Sequence, residues 1–288
     1  DYDTCPSLPA MFFANTAEIS DGPFLWEKSK DSWQATSGTE SRQQAAALSA
    51  ALAALGVTKG DRIGLVSENR PEWLVADIAI MAVGGIAVPA YVTNQVSDHL
   101  HILKDSGAKG AIVSGPALAK NLIPAAQQAG LEFIIAMEPL TDTPDGLAVH
   151  TWADLLAANA DAQPDVTDIA RTATACLIYT SGTGGTPKGV MLSHGAILSN
   201  CKGAYHLLTT FGLDHEVFLS FLPLSHSYEH TAGLMFPLSI SAEIYYAESI
   251  DKLAANMEEV KPTIMTAVPR LYESMHGRIV RGVQQKGG

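Results

Sequence analysis

At 288 residues the chain is long enough to bury a substantial core in one large domain or two small ones. Its composition, 47% hydrophobic and 17% charged, is that of a soluble globular protein, and a formal net charge of −12 argues against general nucleic-acid binding. Three widely spaced cysteines fit a reducing, cytoplasmic compartment and offer no disulfide framework or zinc knuckle, and no signal peptide is visible.

The first half of the chain is predicted to alternate strands and helices. Residues 1 to about 36 are expected to be an extended leading segment with a strand around Phe24–Glu27, and a capping-box pattern at Ser37–Glu40 opens a helix over Ser41–Leu55. Short apolar strands alternating with helices are typical of a doubly wound, mostly parallel sheet. The predicted strands are Arg62–Val66, Ile86–Pro89, Gly110–Ser114 and Glu132–Ala136, and the helices are Glu72–Val83, Ser97–Gly107 and Pro116–Ala129.

Two long stretches in this half need separate interpretation. Ile78–Ser97 is the longest uncharged window, but its Gly-Gly pair, its proline and its Asn-Gln pair predict helix, turn and buried strand, not a membrane span. Pro139–Asp168 is rich in Pro, Asp, Thr and Ala. It is predicted to be a surface connection around one short helix near Trp152–Ala158.

The same alternation continues in the second half. The predicted strands are Thr174–Tyr179, Gly189–Leu192, Glu216–Leu222, Glu243–Ala247 and Thr263–Ala267, and the helices are His194–Phe211, Asp251–Val260 and Pro269–Val280. No internal repeat interrupts the pattern. The sequence therefore predicts an α/β fold with flanking helices.

A loop of hydroxyls, glycines and a single cation lies between the strands Thr174–Tyr179 and Gly189–Leu192. Its glycines let the backbone bend sharply and bring N–H groups close to an anion, while Lys188 adds positive charge. It does not match the GxxxxGK[ST] loop, because Pro187 and Gly189 flank the lysine. Phosphate ligands bind at the carboxyl ends of strands in such sheets, so the loop predicts a polyphosphate site, with a plain flexible turn as the alternative.

Residues 179–194 read YTSGTGGTPKGVMLSH and resemble the YTSGTTGxPKGVxLTH loop of adenylate-forming enzymes, which include acyl-CoA synthetases, luciferases and peptide-synthetase adenylation domains. Gly184 stands where that family usually has a second Thr, so one hydroxyl able to contact phosphate or Mg²⁺ is missing. The likeness runs from about residue 40 to the end. Its other segments are interpreted as turns, caps and core packing: Gly60–Ile63, Asn69–Trp73, Gly84–Tyr91 and Val268–Tyr272.

Residues 221–230 read FLPLSHSYEH and admit two interpretations. His226-x-x-Glu229-His230 is the HxxEH pattern of zinc metalloproteases, although the preceding residues predict a strand running into a loop and not a continuous helix. The same residues resemble the LPLxH segment of bacterial long-chain fatty-acid–CoA ligases, which implies that His226 lies near the incoming acyl carboxylate. Glu229 and His230 then line the substrate site or satisfy a helix end. The other histidines, among them His101, have no convincing partner spacing.

The resemblance implies an AMP-forming acid–thiol ligase. A fatty carboxylate attacks the α-phosphorus of ATP, giving acyl-adenylate and pyrophosphate, and coenzyme A then displaces AMP. Lys188 and His226 are the expected catalytic residues, Thr183 the expected Mg²⁺ contact, and His226, Glu229 and His230 the expected substrate-lining residues. The resemblance implies that ATP contacts Thr180, Ser181, Gly182, Thr183, Gly184, Gly185, Thr186 and Lys188. Expected partners are small molecules and not nucleic acid; membrane association is at most peripheral, and a homodimer is a candidate assembly.

The family's later motifs, including YGxTE text and the C-terminal lysine, do not occur in these residues. The resemblance therefore predicts an incomplete N-terminal domain of an adenylate-forming enzyme, without its C-terminal domain and with little or no ligase activity alone. Residues from about 40 to 212 are expected to form a first α/β subdomain, and residues 1–39 with 213–288 part of a second. The rival hypothesis is a non-catalytic ATP- or phosphate-binding module.

Overall fold

The computed structural model describes residues 1–141, 144–166, 168–180, 185–273 and 276–277, which form two β-sheets with flanking helices. The larger sheet contains β3 (Arg62–Val66), β4 (Ile86–Pro89), β5 (Ala108–Val113), β6 (Phe133–Ala136), β7 (Ala148–Thr151), β8 (Thr174–Thr180) and β9 (Lys188–Ser193). Their order in space is β7-β6-β5-β3-β4-β8-β9, and all are parallel except β9, which returns antiparallel to β8. This arrangement confirms the predicted doubly wound, mostly parallel α/β fold.

The smaller sheet joins strands from both ends of the chain. It contains β1 (Pro23–Ser29), β2 (Ser32–Ser37), β10 (Val217–Ser220) and β11 (Glu243–Tyr246), in the order β10-β11-β1-β2. The first three strands in that order are parallel and β2 is antiparallel to β1. Residues 62–193 therefore build one sheet, and residues 23–37 with 217–246 build the other, while the division into subdomains stays a prediction.

The helices begin and end where local chemistry favours it. The predicted capping box is present: the Glu40 N–H donates to Ser37 Oγ at 3.1 Å, and the Ser37 N–H donates to the Glu40 carboxylate at 2.8 Å. Gly107 and Gly130 end two helices in the left-handed conformation. The helices are α1 (Leu8–Ile19), α2 (Gly38–Ala54), α3 (Pro71–Ala82), α4 (Val96–Ser106), α5 (Pro116–Ala129), α6 (Trp152–Ala158), α7 (His194–Leu208), α8 (Phe236–Ser239) and α9 (Leu253–Val260), with a 3₁₀ turn over Thr209–Phe211 and a π-helix over Glu229–Met235.

Helices cover both faces of the larger sheet. On one face α2 and α3 pack against residues such as Ile63 and Leu65, and on the other α4 and α5 pack against residues such as Val88 and Ile134. The first of these cores continues into the smaller sheet. None of the helices in the described part of the chain combines the length and the apolar character that a membrane crossing requires.

Three parts of the chain differ from the prediction. The leading segment is not wholly extended, because Leu8–Ile19 forms α1, which is capped by Ser7. Apolar and buried residues lie on several sides of this helix, so its sequence lacks the helical periodicity that would have predicted it. The expected surface connection contains the edge strand β7. The expected strand Thr263–Ala267 is reduced to a single bridge between Ile264 and Phe218. Residues 269–273 are helical as predicted, and most of the rest of that helix lies outside the described residues.

Candidate functional site

A cleft opens at the carboxyl ends of β4 and β8. After β4 the chain runs through α4 to β5, which lies on the far side of β3. After β8 the chain turns directly into β9, which lies in the opposite direction at the edge of the sheet. Parallel sheets bind ligands where neighbouring connections diverge in this way. The cleft has a volume of about 630 Å³, within the range of small-molecule sites. It is lined by Tyr91, Asn94, Ser97, Asp98, His101, Ile102, Ile178, Tyr179, Thr180, Thr186, Pro187, His226 and Ser227.

Both limbs of the glycine-rich loop border this cleft. Thr180 and Thr186 lie in its wall, and the β8–β9 pairing places Lys188 directly opposite Thr180 at the base of the loop. Lys188 is exposed and forms no ion pair with the residues that the structure describes, so its charge is available to an anion. Gly185 has a φ of 139°, a conformation that side chains disfavour. Ser181, Gly182, Thr183 and Gly184, four of the predicted phosphate contacts, lie outside the described residues.

His226 enters the same cleft from the smaller sheet. It follows β10 in a turn closed by its own N–H, which donates to Pro223 O at 2.9 Å. The Tyr228 N–H donates to His226 Nδ1 at 3.1 Å, so Nδ1 is unprotonated and the neutral ring carries its proton on Nε2. The imidazole is exposed and can donate a hydrogen bond from Nε2 to an anionic ligand.

Glu229 lies behind the cleft, with none of its surface exposed. Its carboxyl accepts a hydrogen bond from Ser220 Oγ at 2.7 Å and another from Thr266 Oγ1. Burial raises the pKa of Glu229 to about 7, and these hydrogen bonds oppose the shift. Three separate parts of the chain therefore meet at this carboxyl: the π-helix, the end of β10 and the segment after α9.

His230 is equally buried and is held by α3. Its Nε2 lies 2.9 Å from Asp77 Oδ2, and both side chains are fully buried. Trp73 contacts the imidazole edge-on, with ring centroids 5.8 Å apart. The predicted substrate-lining triplet is thus divided: His226 lines the cleft, whereas Glu229 and His230 join the π-helix to the protein interior.

The geometry gives the zinc hypothesis no support. An HxxEH site needs both histidines on one helix facing a common metal, but His226 is exposed in a turn and His230 is buried against Asp77. Across the described ranges, no group of three or more His, Cys, Asp or Glu side chains is arranged to hold a metal ion.

Comparison with known proteins assigns the family. A family model described as AMP-binding enzyme matches residues 12–287, nearly the whole chain. The chain belongs to the AMP-binding enzyme family. The predicted resemblance to adenylate-forming enzymes is confirmed, and it replaces the metalloprotease alternative.

Relatives of this chain include long-chain acyl-CoA synthetases. Long chain acyl-CoA synthetase 1 of Arabidopsis thaliana is 29% identical over 92% of this chain and 40% of its own length. FadD15, a long-chain-fatty-acid–CoA ligase of Mycobacterium tuberculosis, is 27% identical over 98% of this chain and 46% of its own. The chain thus spans less than half the length of these curated relatives.

The fold of this chain also occurs in solved structures. A long-chain-fatty-acid–CoA ligase (FadD1) from Archaeoglobus fulgidus superposes with a TM-score of 0.81, covering 94% of this chain and 53% of that one at 22% identity. At that identity the similarity shows the fold alone.

Sequence reasoning missed much of the cleft. It selected Thr180, Thr186 and His226 but overlooked Tyr91 and His101, which line the same cleft. Tyr91 could have been predicted from its position, because it follows the carboxyl end of a predicted strand, where ligands of such sheets bind. His101 carries no such signal, because its role depends on how α4 packs.

Proposed function

We propose that this chain is part of a long-chain fatty-acid–CoA ligase that forms an acyl-adenylate from ATP before transferring the acyl group to coenzyme A. One observation carries the proposal: Thr180, Thr186 and His226 line a single cleft, although they come from two different sheets. The hydroxyls of Thr180 and Thr186 in the cleft wall, with Lys188 paired opposite Thr180, suit a polyphosphate, and the imidazole donor of His226 suits a carboxylate. The printed names of the curated relatives support the long-chain acid as substrate.

In the first half-reaction, a carboxylate oxygen of the fatty acid forms a bond to the α-phosphorus of ATP. The bond from that phosphorus to the bridging oxygen breaks, and pyrophosphate leaves with the negative charge. Lys188 and the hydroxyls of Thr180 and Thr186 stabilise that charge, while His226 Nε2 orients the attacking carboxylate. Mg²⁺ bound with ATP would neutralise further phosphate charge, and its proposed protein contact is Thr183.

In the second half-reaction, the thiol of coenzyme A attacks the acyl carbon, and AMP leaves as the thioester forms. The family resemblance implies that later motifs serve this step, so we expect the 288 residues alone to show little ligase activity. We further propose subdomains at about 40–212 and at 1–39 with 213–288. All three cysteines are free, which supports a reducing compartment such as the cytoplasm.

The decisive experiment is Lys188→Ala in the full-length gene product. Losing a preorganised positive charge at the phosphates should lower kcat/KM for palmitate-dependent ATP–pyrophosphate exchange about 100-fold. Lys120→Ala is the matched control, because Lys120 is also exposed but lies on α5 and not beside the glycine-rich loop, and it should retain wild-type kinetics.

Two results would contradict the proposal. Unchanged exchange kinetics in Lys188→Ala would remove that lysine from the mechanism. A wild-type protein that binds ATP but releases no pyrophosphate with palmitate, octanoate or benzoate would favour the non-catalytic nucleotide-binding module instead.

A further inference from the structure

Helix α4 places two polar side chains against the glycine-rich loop. His101 and Asp105 are four residues apart and therefore lie one above the other on the same side of the helix. Each of them contacts a different limb of the loop that joins β8 to β9. Neither contact is needed to build the sheet, since the two strands already pair with each other from Thr174 to Ser193.

Asp105 holds the limb that enters the loop. Its Oδ2 accepts a hydrogen bond from Tyr179 Oη at 2.7 Å, and Tyr179 is the residue directly before Thr180. The tyrosine is only 6% exposed, and burial together with the carboxylate raises its pKa. Gly189 pairs with Tyr179 across the strands, and a Cβ there would come within 3.0 Å of the ring. The missing side chain at Gly189 lets the phenol reach Asp105.

His101 holds the limb that leaves the loop. Its Nε2 lies 2.8 Å from Pro187 O, and because a carbonyl oxygen only accepts, Nε2 must carry the proton. Pro187 directly precedes Lys188. The His101 ring also meets the Tyr179 ring edge-on, with centroids 6.0 Å apart at an interplanar angle of 89°. The two contacts from α4 therefore support each other through the tyrosine.

We infer that α4 is a clamp for the phosphate-binding loop, with His101 and Asp105 as positioning residues that hold its two limbs against α4 beside the cleft. The inference rests on the proposed function, because it assumes that the loop binds ATP. Holding Tyr179 and Pro187 in place before the nucleotide arrives reduces the conformational entropy that these two limbs lose on binding. Thr180 and Thr186, which flank the loop and line the cleft, are then held ready for the phosphates.

The test compares His101→Leu with His101→Gln in the full-length gene product. Leucine fills similar space but cannot donate to Pro187 O, so KM for ATP should rise about five- to tenfold, the usual effect of one hydrogen bond. Glutamine keeps an N–H donor at comparable reach and should restore KM for ATP to within about twofold. KM for the fatty acid should not change in either variant. His206→Leu, at an exposed histidine on α7, is the matched control and should behave as wild type.

A second measurement separates the clamp from the proposed function. Without nucleotide, amide hydrogen exchange of residues 185–190 should be faster in His101→Leu than in wild type, whichever reaction the protein catalyses. Unchanged KM for ATP in His101→Leu overturns the inference, even if exchange accelerates. Equal changes in kcat and in KM for both substrates, with a lower melting temperature, would mean that His101 is merely structural. Loss of activity in Lys188→Ala tests the proposed function independently of these results.

Discussion

The buried pair of Asp77 and His230 is unusual among the side chains of this protein. Only one polar atom of each side chain forms a hydrogen bond, between His230 Nε2 and Asp77 Oδ2 at 2.9 Å. The other two, Asp77 Oδ1 and His230 Nδ1, have no hydrogen-bond partner among the described residues. Buried polar groups are normally satisfied, because leaving water without a replacement partner is unfavourable. The pair therefore fixes the position of the π-helix relative to α3 and adds little to the free energy of unfolding.

A pair of this kind predicts strongly non-additive substitutions. Asp77→Leu leaves His230 Nε2 buried without an acceptor and should lower the free energy of unfolding by about 1–3 kcal/mol. The double variant Asp77→Leu/His230→Leu removes both polar groups and should be closer to wild type than the single variant. Urea denaturation of wild type, Asp77→Leu, His230→Leu and the double variant measures this difference. A double variant as unstable as the sum of both single variants would show that the two side chains do not couple.

The π-helix over Glu229–Met235 directly follows the turn that carries His226, and its His230 N–H donates to His226 O at 2.9 Å. At its first turn the Glu229 carboxyl lies against Gly233, where a Cβ would sit only 2.4 Å from the carboxyl carbon. A glycine at that position makes room for the carboxyl, which then holds Ser220 and Thr266. Because π-turns are often found at functional sites, the widened turn is consistent with an element that serves the cleft beside it.

The raised pKa of Glu229 predicts how the free energy of unfolding depends on pH. The folded protein holds the proton up to about pH 7, whereas an ordinary glutamate loses it near 4.5. Between these values the folded state binds more protons than the unfolded state, so its stability falls as pH rises, by about 3 kcal/mol in total. Glu229→Gln mimics the protonated carboxyl and should flatten this slope between pH 5 and 7. Urea denaturation at several pH values would refute the assignment if both proteins lost stability equally.

The elements that sequence reasoning predicted and missed differ in their local signals. Strand β4 and helices α5 and α6 occur with the predicted bounds, because proline, glycine and helix-capping residues mark their ends. Helix α1 was missed because it is apolar on most sides, and β7 because an edge strand needs little apolar sequence. In the cleft, the limbs of the glycine-rich loop and His226 were predictable from contiguous motifs. The burial of Glu229 and His230 was not, since it depends on Asp77 and Thr266, which are distant in sequence.

At the scale of the whole molecule, the two sheets share one hydrophobic core. One cluster of buried side chains extends through both sheets. It contains Ile63 of the larger sheet, Trp73 of the covering helix α3, and Phe24 and Phe218 of the smaller sheet. Helix α1 contacts both α2 and α8, so it lies between the two groups of strands. Thr180 of one sheet and His226, which follows a strand of the other, both line the cleft. The shared core therefore fixes the position of one residue relative to the other.

Because the two sheets share one core, a destabilising substitution in the smaller sheet should also lower the stability of the larger sheet. Phe218 is 2% exposed and packs against Phe236 with ring centroids 6.0 Å apart, so Phe218→Ala should lower the free energy of unfolding by about 3–5 kcal/mol. Amides that exchange only through global unfolding report that free energy directly, so protection should fall to the same extent in β3 and β5 as in β10 and β11. Tyr228→Ala, at a side chain that is 43% exposed, provides the surface control and should leave exchange in both sheets unchanged. Faster exchange confined to the smaller sheet would mean that the sheets unfold separately and that the cleft joins two independently stable units.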